Sequence, residues 1–569
     1  MSVAKTVGQT TSSTDPKTTP VPSIEIWRPS LHERLIIYML GVTSLIVAMD
    51  ASIIPTTLSS MVNDLEGDST QAFWIGTSYL LVNAVTMPFI CSVSDIFGRP
   101  ICFEFSLAMF SLGTVICCTA NSIVHMLVGR CIQGIGGAGI HALGLVILTD
   151  IVPLSHRPKW YGVTLGGWAI GLSLGPIIGG GIVEHASWRV IFYIMFPICA
   201  LGLILTPWLL TLKPKTATLK EKLARVDWLG GILFMCSATS FLIGVSWGGI
   251  QYDWNSAQTI APIVLGALGM IMTVFYENHF ARDPYLRKSL WQDWRIEGSD
   301  KLNWSAIVTY INGCLQGLAM FGFLYYVPLY FLSVKGQSPL EAGVDVLALL
   351  LPTLLSAIVT GRLITRTRNY RWAICVGWFI ACIGTGFLLV WSVHSSTVFW
   401  AFSQIILGVG TGAVLNAQNF ACQAMCKPAD GTRTGEEGVA AAMYLFSRQF
   451  GFALGVGIGG TAFQNVMALK LEWEGLPVDP ARHAEGYVAV LSSMQDGHEK
   501  ASIREAYEFG FMGCFSVFLG VSVVALILSL IFVEQFDMNR AQDSEHKLQP
   551  RRAITKAIDQ TSQERTCKV

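Results

Sequence analysis

Charged residues are scarce in this chain. Only 13% of its 569 residues are Asp, Glu, Lys or Arg, whereas 52% are hydrophobic and the mean hydropathy is +0.51. Soluble domains carry about 25% charged residues, so the composition excludes a soluble globular class for most of the chain. The 38 basic residues equal the 38 acidic residues in number, and this balance gives no indication of a nucleic-acid partner.

Signals of cofactor and metal chemistry are also missing. The chain has no Gly-x-x-x-x-Gly-Lys-Ser/Thr phosphate loop, which excludes ATP hydrolysis by that route. Two Gly-x-Gly-x-x-Gly stretches, Gly134–Gly139 and Gly455–Gly460, lie inside apolar runs and favour helix packing over dinucleotide binding. The histidines are scattered singly, and the cysteines lie mostly in apolar runs. We therefore expect no cofactor, no metal and no enzyme activity.

Long apolar runs dominate what remains. A helix crosses the bilayer core with about 20 apolar residues, and the chain offers fourteen such runs. The first run has no small-residue cleavage site after it, so we expect it to be retained as a span. We predict an all-α polytopic membrane protein with spans at 35–61, 73–93, 101–120, 123–149, 160–183, 188–210, 227–250, 259–279, 303–332, 341–364, 373–393, 398–425, 438–468 and 509–533.

The chain also repeats itself. The pattern Arg-x-x-Gln-Gly-x-Gly at 130–136 is echoed by Gln-x-x-Leu-Gly-x-Gly at 404–410, an offset of about 270 residues. Duplicated halves are typical of transporters. We predict cytoplasmic tails at 1–34 and 534–569 and two pseudo-symmetric six-helix bundles at 35–210 and 303–533. An inserted helix pair with flanking loops is predicted at 211–302, and a long outer loop at 470–508.

Lysine and arginine are concentrated in alternate short loops, for example at 213–225 and 282–301. Cytoplasmic loops of membrane proteins carry an excess of these residues. Because the number of predicted spans is even, both termini are expected in the cytosol. The plasma membrane is the expected location, with the vacuolar membrane second.

The most specific motif lies in the fifth predicted span. It consists of Gly171, Gly175, Pro176, Gly179 and Gly180, where glycines at helical spacing let two backbones touch and the proline permits a bend. One interpretation is a plain packing face. With its neighbours, however, the stretch resembles the antiporter motif of drug-exporting transporters of the major facilitator type, and this resemblance implies export.

A second resemblance concerns the loop after the second predicted span. Asp95, Gly98 and Arg99 match the signature cytosolic loop of the same family. Asp95 can meet the positive N-terminus of a facing helix, and Arg99 can pair with Asp150 at the end of the fourth span, which would form a cytosolic latch. The alternative is that these charges are simply solvated. The sequence departs from the family pattern at Cys91, Ile96 and Pro100.

Two ionisable groups fall well inside predicted spans, Asp50 in the first and Arg130 in the fourth. A charge there costs about 2.5–3.5 kcal/mol on insertion scales, so each should face a cavity or a partner. Asp50 beside Arg130 could load and release a proton as access alternates, which makes this pair the candidate proton-coupling site. A permanent structural ion pair is the alternative.

The resemblance extends along most of the chain. Residues 49–54 resemble the first-span motif of the fourteen-span drug:proton antiporters, and 246–256 are similar to the inserted hairpin as it occurs in filamentous fungi. Further matches lie at 325–339 and 448–451. The family resemblance implies a major facilitator fold with a central cavity, and a proton-driven efflux pump for a secondary metabolite or toxin. It implies a small-molecule substrate, protons and lipid as partners, no nucleic acid, and a monomer.

Polar and aromatic residues inside predicted spans are candidates for substrate contact: Asn83, Gln316, Tyr326, Asn416 and Gln418. Aromatic rings with a few hydrogen-bonding groups suit bulky amphiphilic molecules, although each residue could instead serve helix packing. Two other functions stay open. One is proton-coupled uptake of a siderophore or of vacuolar basic amino acids by the same fold, and the other is a receptor that no longer transports.

Overall fold

The computed structural model describes residues 29–67, 69–154, 156–210, 218–248, 251–281, 284, 286–293, 301–426, 436–482, 484–495 and 497–536. Most of the predicted tails, 1–28 and 537–569, and parts of the predicted segment 211–302 lie outside these residues. Within them the α-helices are α1 (Leu31–Asp64), α2 (Ser69–Phe97), α3 (Arg99–Cys118), α4 (Ile123–Ile151), α5 (Arg157–His185), α6 (Val190–Leu209), α7 (Leu219–Arg225), α8 (Trp228–Trp247), α9 (Ala257–His279), α10 (Trp304–Ser333), α11 (Pro339–Asp345), α12 (Leu347–Thr367), α13 (Arg371–Leu388), α14 (Thr397–Met425), α15 (Glu437–Trp473), α16 (Asp479–Arg482), α17 (Ala484–Ser493) and α18 (His498–Phe532).

Fourteen spans in the described part of the chain are long and apolar enough to cross a membrane. Each corresponds to one of the predicted apolar runs. α11 and α12 together make a single span, Pro339–Thr367, whereas α7, α16 and α17 are too short to cross. The predicted all-α polytopic class is confirmed.

Polar side chains fix where several spans begin. Ser30 and Glu33 form a capping box at the start of α1, and Ser338 and Glu341 form another at α11. The first N–H groups of a helix have no intrahelical acceptor, and a side-chain oxygen supplies one. Five further spans, α4, α8, α9, α10 and α14, are capped in this way by Ser122, Asp227, Ser256, Asn303 and Ser396.

The last two spans are longer than their apolar runs. α15 continues to Trp473, α18 already begins at His498, and α16 and α17 lie between them. The segment 470–508, which was predicted as a long outer loop, is therefore mostly helical. Hydropathy indicates only the part of a helix that can cross lipid. The backbone hydrogen bonds that define a helix do not require apolar side chains, so the helix can extend beyond its apolar run.

The helices pack in two groups, which we name the N-half (α1–α6) and the C-half (α10–α18). In the N-half, α1 packs along α5, and α4 packs against α2 and α3; in the C-half, α10 packs along α15, and α14 packs against α12 and α13. α8 and α9 pack on each other, and α8 touches α2 and α15. The halves meet where α5 contacts α11 and α12 and where α15 contacts α2 and α4.

The two Gly-x-Gly-x-x-Gly stretches serve helix packing, as expected. A Cβ on Gly136 of α4 would lie 2.3 Å from the backbone nitrogen of Phe110 in α3. One on Gly455 of α15 would lie 2.3 Å from the carbonyl oxygen of Leu318 in α10. Only glycine allows backbones to approach this closely, so these positions hold the helices of each half together.

Candidate functional site

A buried ion pair joins α1 to α4. Arg130 Nη1 donates to both carboxylate oxygens of Asp50 at 2.8 Å, and the two side chains are 1% and 0% exposed. The guanidinium also donates to the carbonyl of Ile75 at 3.1 Å and to Gln133 Oε1 at 2.8 Å, and it lies 4.5 Å from the centre of the Tyr79 ring. The structure therefore brings together the two charges that the sequence singled out.

The pair can change charge without leaving Arg130 unpartnered. Gln133 Nε2 donates to Thr114 Oγ1 at 2.9 Å and to Asp50 Oδ1 at 3.4 Å, which anchors this amide to α3. If Asp50 takes up a proton, Arg130 keeps the carbonyl of Ile75 and Gln133 Oε1 as acceptors. A buried cation with such acceptors costs less than one that is left bare. The geometry thus permits reversible protonation of Asp50.

The glycines of the fifth-span motif face α1. A Cβ on Gly171 would lie 2.2 Å from the carbonyl oxygen of Leu45, and one on Gly175 would lie 2.0 Å from Ser52 Oγ. Gly179 continues the same contact one turn later. These positions therefore need glycine, because any side chain would push α1 and α5 apart.

The rest of the motif faces the C-half. A Cβ on Gly180 would lie 2.9 Å from the backbone nitrogen of Leu340 in α11. The reverse contact is as close, since a Cβ on Gly343 would lie 3.1 Å from the carbonyl carbon of Pro176. The motif therefore packs α5 against α1 on one side and against the other half of the molecule on the other.

Three charges cluster where α2 ends and α3 begins. We name this end of the bundle the basic end, because its loops are rich in Lys and Arg. Arg99 contacts Asp95 at 2.6 Å and Asp150 at 3.2 Å, and we name these residues the Arg99 cluster. Gly98, directly before Arg99, has a φ of +104°, a left-handed value that favours glycine. Arg287 lies 3.8 Å from Asp95, and the predicted contact of Asp95 with the N-terminus of a facing helix stays a prediction.

The halves are joined at the basic end by residues that the sequence did not single out. Arg157, at the start of α5, is 1% exposed and forms an ion pair with Glu437 at the start of α15. It also donates to Gln423 Oε1 of α14 at 3.0 Å, and to the carbonyls of Val152 at 2.7 Å and Thr149 at 2.8 Å. The only sequence signal was that Arg157 belongs to a basic loop.

Two of the predicted substrate residues donate hydrogen bonds to backbone carbonyls of neighbouring helices. The Tyr326 hydroxyl donates to the carbonyl of Val456 at 2.7 Å, and Asn416 Nδ2 donates to the carbonyl of Ala357 at 2.7 Å. These bonds join α10 to α15 and α14 to α12 inside the C-half. Helix packing therefore accounts for the Tyr326 hydroxyl and for Asn416 Nδ2, whereas Asn416 Oδ1 has no hydrogen-bond partner among the described residues.

The other three predicted residues also have amide atoms without a hydrogen-bond partner among the described residues. Asn83 Oδ1 accepts from Gln449 Nε2 of α15 at 3.2 Å, whereas Asn83 Nδ2 has no hydrogen-bond partner among the described residues. Gln316 Nε2 contacts Met320 Sδ at 3.4 Å, and its Oε1 has no such partner. Both amide atoms of Gln418 lack one as well. A buried amide without hydrogen bonds is costly, and the substrate role of these three residues stays a prediction.

Another buried charge lies in the thirteenth span. Arg448 of α15 is 1% exposed, so the expectation of two intramembrane charges is incomplete. The signal was available, since this residue falls within the predicted span 438–468. Its guanidinium lies over the ring of Trp168 from α5, which places it between the halves.

The described residues offer little to a metal ion. No group of three or more His, Cys, Asp or Glu residues among them could hold one. His141, the buried histidine of α4, instead contacts Gln449 Nε2 through Nδ1 at 3.0 Å. Structural and catalytic metal sites need several such ligands at one point.

Known proteins are similar in sequence to this chain along nearly its whole length. The family model described as Major Facilitator Superfamily matches residues 40–456. The chain is 35% identical over 544 residues to "MFS transporter L2" of a Phoma species, covering 95% of this chain and 88% of that protein. It is 29% identical over 544 residues to "Efflux pump FUS6" of Gibberella moniliformis, covering 94% and 93% respectively.

A solved structure shows the same fold. A bacterial homologue of the human lysosomal transporter Spinster, in its inward-facing and unoccupied conformation, matches with a TM-score of 0.55, covering 90% of this chain and 99% of that one. At 16% identity this likeness concerns the fold alone. The family match, the fourteen spans and the shared fold agree, and the chain therefore belongs to the Major Facilitator Superfamily of multi-pass membrane transporters.

Proposed function

We propose that this protein exports small amphiphilic organic molecules, such as a secondary metabolite, toxin or drug, in exchange for protons across the plasma membrane. In this proposal it is a monomer that works by alternating access and catalyses no reaction. Two similar proteins are described as an MFS transporter and an efflux pump, which supports transport in the outward direction. The observation that carries the proposal is the buried Asp50–Arg130 pair.

Protonation of Asp50 would weaken the tie between α1 and α4. α1 packs along α5 through Gly171 and Gly175, and α5 touches the C-half through Pro176 and Gly180. A change at the ion pair can therefore reach the contact between the halves through packed backbones. Such contiguous networks are one route by which energetic coupling travels between sites.

The halves touch at both ends of the bundle. Arg157 pairs with Glu437 at the basic end, and Gly180 packs against Leu340 at the opposite end. Alternating access requires these contacts to open in turn as one half rocks against the other. We place the basic end in the cytosol, because its loops are rich in Lys and Arg. The Arg157–Glu437 pair, supported by the Arg99 cluster, is then the latch that opens to admit substrate.

The test compares the unaltered protein with Asp50→Asn in pump-deficient yeast loaded with Nile red, which is neutral, or fluorescein, which is anionic. We expect the unaltered protein to lower accumulation of at least one dye, and a protonophore or Asp50→Asn to abolish this effect at normal surface expression. Asp345→Asn is the matched control. Asp345 is also a carboxylate within a span, but it accepts from Gln337 at 2.8 Å and takes no part in the Arg130 pair.

A second readout separates proton coupling from a structural ion pair. In proteoliposomes without a proton gradient, exchange of dye for dye needs alternating access but no proton cycle. We expect Asp50→Asn to keep this exchange and to lose proton-driven uptake. Loss of both activities would assign the pair a structural role, and full activity of Asp50→Asn would refute the coupling site.

A further inference from the structure

Arg448 differs from the other buried arginines in its partners. Arg99, Arg130 and Arg157 each form an ion pair with an acidic residue. Arg448 is equally buried, yet none of its three side-chain nitrogens has a hydrogen-bond partner among the described residues. The Tyr161 hydroxyl lies near it without hydrogen-bond geometry. A bare guanidinium inside a membrane protein is expensive, and charged groups in such positions mark transport paths.

Two aromatic rings account for only part of this cost. The guanidinium carbon of Arg448 lies 4.7 Å from the centre of the Trp168 ring and 5.1 Å from that of Phe452. Cation–π contacts attract the charge to the rings, but they recover less than the hydration that a buried cation loses. They do not satisfy its five N–H donors. The cation is therefore placed and enclosed, and among the described residues no acceptor forms a well-aligned hydrogen bond with it.

This cation lies at the meeting point of the two halves. Trp168 belongs to α5 of the N-half, and Arg448 belongs to α15 of the C-half. The next residue along the chain, Gln449, contacts His141 of α4 at 3.0 Å and Asn83 of α2 at 3.2 Å. Because alternating access opens this interface to each side in turn, these side chains lie on the path of the transported molecule.

The charges at this point favour an anion. Arg448 presents a planar fork of donors that matches a carboxylate or another oxyanion bidentately. Asn83 Nδ2 is a further donor without a partner among the described residues. Among the described residues of the N-half, Asp50 is the one buried acid, and it is bound to Arg130. A cationic molecule would be repelled by Arg448, and in an apolar interior this repulsion is weakly screened.

Aromatic surface continues away from the cation. Phe452 stacks on Phe321 of α10, with ring centres 4.7 Å apart and an angle of 26°. Phe321 in turn lines a small crevice between α1, α5 and α10, together with Pro176 of the glycine-proline motif. Rings of this kind suit an apolar, flat body. The cation and the rings are therefore arranged in sequence along the interface.

We infer that the transported molecule is an organic anion whose acid group is carried by an apolar, aromatic body, and that Arg448 binds this acid group. The inference rests on the proposed transport function and narrows its substrate class. Gln449, His141 and Asn83 supply hydrogen bonds to polar atoms beside the acid group. Asp50 and Arg130 keep their separate task of proton coupling.

The test uses 1-naphthaleneacetic acid and 1-naphthaleneacetamide, which share an aromatic body and differ in charge. The purified full-length protein is heated with each probe, because a ligand of the folded state raises the melting temperature. We expect the acid to raise it and the amide to leave it unchanged. Arg448→Gln should weaken the apparent affinity for the acid by about tenfold or more, and Arg448→Lys should retain part of it.

Lys470→Gln is the matched control, since it removes a positive charge from the far end of the same helix, where Lys470 pairs with Glu474 at 2.7 Å. This variant should keep the preference for the acid. If Arg448→Gln lowers the melting temperature without probe but keeps the acid-over-amide preference, the residue is structural and the inference is overturned. Equal shifts with both probes, or no shift with either, overturn it as well.

The two proposals fail separately. Asp50→Asn should bind the acid as the unaltered protein does, because Arg448 is intact, while it loses export. In the yeast assay, export of fluorescein but not of Nile red supports the inference. Export of Nile red by a protein that does not distinguish acid from amide would leave proton-coupled export standing and overturn the assignment of Arg448.

Discussion

Gly171 lies directly against the backbone of α1, and Gly171→Ala tests how close this contact is. The added Cβ would lie 2.2 Å from the carbonyl oxygen of Leu45 and 3.0 Å from Ala48 Cβ. An ordinary C···O contact is about 3.3 Å or longer, so α1 and α5 would have to separate by about 1 Å. A backbone carbonyl inside a helix cannot rotate away, as the tip of a flexible side chain could.

The loss of stability expected for Gly171→Ala follows from this steric overlap. Overpacking of a well-packed interior typically costs about 1–3 kcal/mol. The hydrogen bond from Ser52 Oγ to the carbonyl of Gly171 is already long at 3.4 Å, so its loss adds little. A change of 1 kcal/mol moves the melting temperature by about 2–4 °C in chains of 150–250 residues, and by less in longer ones. We therefore expect Gly171→Ala to melt about 2–6 °C lower.

The measurement is the fraction of detergent-solubilised protein that survives heating at a fixed rate, read by size-exclusion chromatography, because membrane proteins of this size unfold irreversibly. Gly166→Ala and Gly181→Ala are the matched controls, since a Cβ at either position of the same helix meets no atom within 4 Å. These two variants should melt at the same temperature as the unaltered protein or slightly higher. If all three substitutions shift the melting temperature equally, the close α1–α5 contact does not exist.

Two further predictions concern the ends of the bundle. Glu437→Gln should weaken the contact of Arg157 with the C-half by about 1.5–3 kcal/mol and speed hydrogen exchange in the first turns of α15, whereas the neighbouring Glu436→Gln should not; equal exchange in both variants would contradict the latch. At the opposite end, the hydrogen bond from Arg189 holds the pKa of Asp64 below its usual value. A carboxyl group with a lowered pKa in the folded state stabilises that state above its unfolded pKa of about 3.9 and loses this effect as the pH falls through the folded value. The difference in melting temperature between the unaltered protein and Asp64→Asn should therefore be constant above about pH 5 and shrink below about pH 4, and a difference that grows on acidification would refute the assignment.

Properties that belong to single residues or short runs could be predicted from the sequence. The fourteen spans could be read because hydropathy is local, and Asp50 and Arg130 stood out because a charge in lipid is costly wherever it lies. The same rule applies to Arg448, which also lies within a predicted span. The glycines of the fifth span indicated a close helix contact, but the sequence did not show that α1 is the helix they contact.

The sequence by itself therefore determined the membrane class, the number of spans and the family to which the chain is similar. Only the tertiary structure decided which helix faces meet. Arg157 pairs with Glu437, and Gln449 with Asn83, and in each case the two residues belong to different halves. Their separation along the chain gives no indication that they are in contact. The tertiary structure also decided that α15 and α18 extend beyond their apolar runs, since backbone hydrogen bonds continue a helix into water. Finally, it showed that Arg448 alone among the buried arginines named above has no acidic partner in the described residues, a property of the assembled interior that no single segment contains.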